Sequence, residues 1–157
     1  MAKDLFRVPL YEKFLPQYNC SVFQIRLALD VRTRTGAFVR LPFRFDIGTD
    51  FTTIPIAEAE RLGIPFTKTR PVFPTAITGK TQRASYLSVI RFAFPELPHL
   101  QFESLCSFSP YPLKRSLLSL TDIVPNFLIR SDRATPAYPH GSVQFRIRRD
   151  HHGQPRP

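Results

Sequence analysis

The chain has 157 residues, 43% of them hydrophobic, with 16 Pro, 15 Phe and 1 Met. That length favours one domain with a real core, and prolines recurring throughout exclude long helices in favour of short strands and marked turns. The 22 Lys and Arg against 12 Asp and Glu give +10, which implies a weak attraction to polyanions; the cations are scattered, several alternating with apolar residues, so no specific nucleic-acid site follows.

Residues 1–20 carry Pro9, Pro16 and several aromatics and read as an irregular arm or a poorly defined first strand. Ser21 to Asp30 has Val22, Phe23, Ile25, Leu27 and Leu29 as the apolar set of a strand. Arg34, Thr35 and Gly36 mark a turn, and Phe38 to Asp46 alternates Val39, Leu41, Phe43 and Phe45 with Arg40, Pro42 and Arg44, a period of two. The pair predicts a hairpin leading into a loop at Asp46. Pro55 to Leu62 predicts a short helix, with Ile56, Ala59 and Leu62 near one face and Gly63 as its stop.

Thr75 to Gly79 predicts a hairpin tip, and Ala84 to Phe94 and Phe102 to Phe108 predict further strands. Leu117 and Leu118 are expected to be buried. Ser119 and Asp122 have capping-box spacing ahead of a short helix through Ile123 and Val124. Phe127 to Ile129 returns to extended chain, Gly141 to Ile147 predicts a last strand, and residues 149–157 predict a frayed tail. The expected organisation is an arm over 1–19, one domain over 20–148 and a flexible tail over 149–157.

Cys20 and Cys106 form no metal-spacing motif and read as isolated buried thiols. His99, His140, His151 and His152 have no metal-ligand spacing either, so no metal and no cofactor is expected. No apolar run follows Lys3, Asp4 and Arg7, and none is long enough to span a bilayer; a cytoplasmic protein with no membrane partner is the expectation.

The most informative stretch is Asp46-Ile47-Gly48-Thr49-Asp50-Phe51-Thr52-Thr53-Ile54-Pro55. An acid beside a glycine at a strand end, followed by hydroxyls and a helix start, can present a carboxylate on a tight loop. This stretch resembles the catalytic loop of the retroviral-type (retropepsin-like) aspartic proteases and their bacterial single-domain relatives. Ala57 to Gly63 resembles the segment that follows that loop, Thr75, Ala76, Ile77, Thr78 and Gly79 fall where the family's substrate-covering flap lies, and Leu117-Leu118-Ser119-Leu120-Thr121-Asp122 resembles the late Leu-Leu-Gly-x-x-Asp signature. Gly141 to Phe145 resembles the closing strand of the bacterial relatives.

The resemblance implies an all-β, single-domain acid-protease β-barrel with a flap hairpin and one or two short helices. It implies a homodimer in which two Asp46 carboxylates activate a water against a peptide bond, with Gly48, Thr49, Asp50 and Thr52 supporting the loop. Two close carboxylates share a proton, so one accepts a proton from water while the other polarises the carbonyl.

Two departures favour an alternative, a catalytically inactive fold that binds a peptide or protein partner. Ile47 stands where the family has a hydroxyl that locks the paired loops, and Ser119 stands where it usually has glycine; serine is strained there if φ is positive and welcome if the position is an N-cap. A third reading, a basic nucleic-acid-binding module, rests on charge alone. Asp50 reads as a loop stabiliser or subunit-contact charge, Thr49 and Thr52 as hydrogen-bonding partners of the loop backbone, and Asp122 as a helix-cap acid. The phenylalanines at 38, 43, 45, 92, 94, 102 and 127 read mainly as core.

Overall fold

Alternating apolar residues pair into strands along most of the chain. The computed structural model describes residues 4–73, 75–76, 79–80, 83–150 and 155. In chain order its elements are β1 (Leu5–Leu15), β2 (Cys20–Arg32), β3 (Phe38–Asp46), β4 (Thr52–Pro55), α1 (Ile56–Leu62), β5 (Pro71–Val72), β6 (Thr75–Ala76), β7 (Gly79–Lys80), β8 (Ser85–Ala93), β9 (Phe102–Ser109), β10 (Ser116–Ser119), α2 (Leu120–Ile123), β11 (Phe127–Asp132) and β12 (Ser142–Ile147), with one 3-10 turn at Pro16–Tyr18.

Ten strands form one mixed sheet in the order β11-β12-β1-β2-β3-β10-β4-β9-β8-β5, and β6 pairs with β7 separately. The long β2 divides one edge between β1, over Cys20 to Ile25, and β8, through Asp30↔Ala93 and Val31↔Phe92. This corrects the expected barrel. The β2–β8 pairing folds the sheet back on itself, but it spans two residue pairs, while β11 and β5 end the sheet as edges. A closed barrel has no such ends. What the chain forms is an all-β domain with a mixed sheet and two short helices.

Of the two readings of the N-terminal stretch, an irregular arm or a first strand, Leu5–Leu15 takes the strand. Leu5 to Pro9 pair with β12 and Leu10 to Leu15 with β2. Prolines did not prevent this: Pro9 lies at the switch between partners, where the donor it lacks is not needed by both ladders. Arg149, placed in the expected tail, forms an ion pair with Asp4.

The core lies behind the folded sheet and is rich in rings. Phe6 stacks on Phe145 at 5.0 Å between centroids, and Phe94 meets Phe127 edge-on at 5.1 Å. Phe43, Phe92, Phe102 and Phe127 are buried as expected, Phe45 is half-buried and Phe38 is exposed. Cys106 is buried and Cys20 exposed, and both are free thiols, so only Cys106 fits the expected pair of buried thiols. Burial pushes the Cys106 thiol well above its ordinary pKa, and the nearby Asp122 charge adds to the effect.

Both helices end or begin where local chemistry directs. Gly63 takes φ +69 at the end of α1, a conformation open to glycine, and Ile64 N–H returns to Ala59 O at 2.9 Å. Pro55 stands at the N-cap position of α1 in extended backbone, with no side-chain cap.

Candidate active site

Period two along β3 puts Arg44 and Asp46 on one sheet face and buries Phe43 opposite. Asp46 ends the strand. Its Oδ1 accepts from Gly48 N–H at 2.9 Å, so the carboxylate closes its own turn. Its Oδ2 accepts from Arg44 Nη2 at 3.3 Å. A quarter of the side chain remains exposed. Ile47, between the acid and the glycine, is 78% exposed.

The loop does not stand alone. β10 runs between β3 and β4, parallel to β3 with Ser119 opposite Asp46, and antiparallel to β4 with Leu117 opposite Thr53. Leu118 is fully buried and anchors it. The turn from β10 into α2 then clasps the loop through polar groups. Ser119 Oγ donates to Thr49 O at 2.6 Å and accepts from Thr121 N–H at 3.2 Å. Thr121 Oγ1 donates to Asp50 O at 2.8 Å. Thr52, fully buried, donates through both N–H (3.1 Å) and Oγ1 (2.5 Å) to Asp122 Oδ2, while its Oγ1 accepts from Ser119 N–H at 3.2 Å.

Several expectations change here. Ser119 has φ −75 and ψ 142, so it is an unstrained N-cap and needs no glycine. Asp122 is not simply a cap for its own helix: in a capping box it would accept the Ser119 N–H, but Thr52 is interposed and takes that bond. Thr52 bonds across to the late segment, to Asp122 and Ser119, where bonds to its own loop's backbone were expected. Thr49 contributes its carbonyl, whereas its buried hydroxyl has no hydrogen-bond partner among the described residues. Asp50 is exposed and holds the loop through its backbone oxygen.

A cleft of about 390 Å³ opens beside this loop, lined by Gly48, Thr49, Asp50, Phe51, Thr53, Val72, Phe73 and Ser107. Val72 and Phe73 lead directly into the β6–β7 ladder, where Thr75 pairs with Lys80 and Ala76 with Gly79. Ile77 and Thr78, the expected tip, lie outside the described residues. Leu117 is half-buried and shares a row of cross-strand neighbours with Arg44 and Thr53. Arg44, Thr121, Phe73 and Ser107 were not singled out in the sequence as site residues. Arg44 was legible, since a residue two before Asp46 in a strand shares its face; Thr121 and Ser107 required the fold.

No group of three or more His, Cys, Asp or Glu that could hold a metal occurs among the described residues. No helix among them is long and apolar enough to cross a membrane.

No family model matches the chain, and no curated protein matches it significantly. Among solved structures it is similar to a retropepsin-like aspartic protease from Rickettsia conorii, with a TM-score of 0.60 and 12% identity over 91% of this chain and 90% of that one. At that identity the likeness is one of fold. A foamy viral protease-reverse transcriptase in complex with an RNA/DNA hybrid matches at a TM-score of 0.42 and 17% identity, over 63% of this chain and 11% of that one, too loosely to argue from.

Proposed function

We propose that the protein is an aspartic endopeptidase whose site forms when two copies bring their Asp46 loops together. The observation that carries this reading is the Asp46–Gly48 turn, which holds a partly exposed carboxylate on a loop clasped by Ser119, Thr121 and Asp122, at the edge of a cleft. The fold it shares with a retropepsin-like protease supports the same reading.

Two apposed Asp46 carboxylates would share one proton. The ionised member takes a proton from water, and the protonated one polarises the scissile carbonyl. Peptide would lie along the cleft, with the β6–β7 hairpin folding over it to exclude water. In the single chain Arg44 forms a partly exposed ion pair with Asp46 at 3.3 Å.

That ion pair also favours a second reading, a binding module that holds peptide without cutting it. Ile47 points the same way, because an exposed isoleucine supplies no hydrogen bond across a loop–loop contact. One experiment separates the two. Purified protein of known oligomeric state is incubated with a diverse peptide library between pH 4 and 7, as estimated for a carboxylate dyad, with Asp46→Asn in parallel. Turnover abolished by Asp46→Asn is the expected result. No turnover by a folded dimer, or turnover unchanged in the variant, overturns aspartic catalysis.

A further inference from the structure

Beside the loop, on the same sheet face, lies a second cleft of about 340 Å³, lined by Lys13, Gln24, Arg26, Arg44, Pro112, Leu113, Lys114, Arg115 and Leu117. Five of these residues are cationic and none is acidic. Lys13, Lys114 and Arg115 make no ion pair or hydrogen bond among the described residues, and Arg44 meets an acid only at Asp46. Arg26 donates to Gln24 at 3.2 Å and lies over the Tyr11 ring, but its Nε is buried with no hydrogen-bond partner.

The strand register sharpens the anomaly. Arg26 stands directly opposite Arg44 across β2 and β3. Like charges in that position repel. Four residues along the same ladder Arg40 stands opposite Asp30 and pairs with it at 2.9 Å, so the sheet elsewhere matches opposite signs. An Arg–Arg pair that shares one acid, Asp46, and carries a buried idle donor, at the wall of a cleft with three further cations unpaired among the described residues, is an arrangement suited to an anion.

The same row identifies the anion. Arg26, Arg44, Leu117, Thr53 and Ser107 are successive cross-strand neighbours on β2, β3, β10, β4 and β9. The row begins in the basic cleft and ends in the cleft beside Gly48. Its middle, Leu117, is a half-buried apolar residue. A cationic end, an apolar floor and a mixed cleft suit a polypeptide better than a polyanion. Elsewhere on the surface some cations are matched by acids, as in Arg61–Glu58, Arg91–Glu103 and Arg130–Asp132.

We infer that the basic cleft is a subsite for acidic side chains of the polypeptide that occupies the Gly48 cleft. Resting on the proposed function, this makes the substrate class peptides with Asp or Glu displaced from the residue seated beside Thr53 in the Gly48 cleft. From Arg44 or Arg26 to Thr53 is two or three strand spacings, about 10–14 Å, and extended peptide advances about 3.4 Å per residue, so the acid sits three or four positions away.

The test measures binding by fluorescence anisotropy on the full-length Asp46→Asn protein, which needs no turnover, and on wild-type protein, in which the Arg44–Asp46 pair is intact. Labelled decapeptides carry an apolar residue with Glu three and four positions to either side, and matched peptides carry Gln instead. The Glu peptide is expected to bind roughly tenfold tighter, the combined effect of several partly exposed charge pairs. Lys114→Gln/Arg115→Gln should weaken Glu-peptide binding severalfold toward that of the Gln peptide, leaving binding of the Gln peptide and the melting temperature unchanged. Equal binding of Glu and Gln peptides overturns the inference, as does an unaffected double variant. Displacement of the Glu peptide by a single-stranded oligonucleotide more readily than by unlabelled Glu peptide also overturns it, in favour of a polyanion site. Acid-selective binding without any cleavage by wild-type protein sinks the peptidase reading and keeps the subsite.

Discussion

Thr52→Val tests the clasp that holds the Asp46 loop. Valine matches threonine in shape, so the substitution opens no cavity at this fully buried position. It removes the 2.5 Å hydrogen bond to Asp122 and leaves the buried Ser119 N–H without its acceptor. Asp122 keeps the Thr52 N–H at 3.1 Å, so the carboxylate is weakened and not abandoned. A hydrogen bond to a charged group contributes about 1.5–3 kcal/mol and an orphaned buried donor costs about 1–3 kcal/mol; because the two share one hydroxyl, about 3 kcal/mol is the expected total. For a domain of this size that lowers Tm by about 6–12 °C. The chain has no Trp, so urea and thermal unfolding are followed by far-UV circular dichroism. A double-mutant cycle with Asp122→Asn should give a coupling of about 1–2 kcal/mol. Thr53→Val, whose hydroxyl reaches only Phe51 O at 3.0 Å within its own loop, is the control and should cost about 1 kcal/mol or less. A loss for Thr52→Val under about 0.5 kcal/mol, the scatter of an ordinary surface change, or a cycle with no coupling, refutes the clasp.

Ser119→Ala removes both the N-cap acceptor for Thr121 N–H and the donor to Thr49 O without altering a φ that alanine also adopts; a loss of about 1–2 kcal/mol is expected, with faster amide exchange at Gly48, and unchanged exchange there counts against the tie. Gly141→Ala should destabilise by more than about 1 kcal/mol, since φ is +93 and the new Cβ would lie 2.8 Å from Asp132 O; an unshifted melting temperature contradicts this. Cys106 is an acid whose folded pKa is raised, so the folded state binds the proton more tightly than the unfolded one. Its stabilising effect is complete below the ordinary thiol pKa of about 8.5 and falls as pH rises beyond it, by up to about 1.4 kcal/mol per unit. Cys106→Ala should flatten that slope, and a thiol reagent should label Cys20 at once and Cys106 only on unfolding; prompt labelling of both would refute the burial argument.

What the sequence determined by itself is local. Strict alternation from Phe38 to Asp46 specifies a strand with Asp46 at its end, and an acid two residues before a glycine specifies the turn that its own carboxylate closes. Gly63 specifies the end of α1, because few other residues take its φ. These features depend on residues within a few positions of each other, and period and backbone preference are enough to read them.

The tertiary structure decided everything that joins distant segments. The Thr52–Asp122 bond spans 70 positions, and nothing in either segment alone says that β10 will enter between β3 and β4. That insertion tied the Ser119 cap to Thr49 O and turned Asp122 from a helix-cap acid into a cross-link to Thr52. Register made the same kind of difference at Arg26 and Arg44: each reads as an ordinary solvated cation within its own strand, and only pairing β2 with β3 sets them face to face. The departure from a barrel has the same origin, because β2 shares one edge between β1 and β8. Alternation tells which face of a strand is apolar; which neighbour each edge takes is settled by packing the ring-rich core and satisfying buried polar groups across the whole chain.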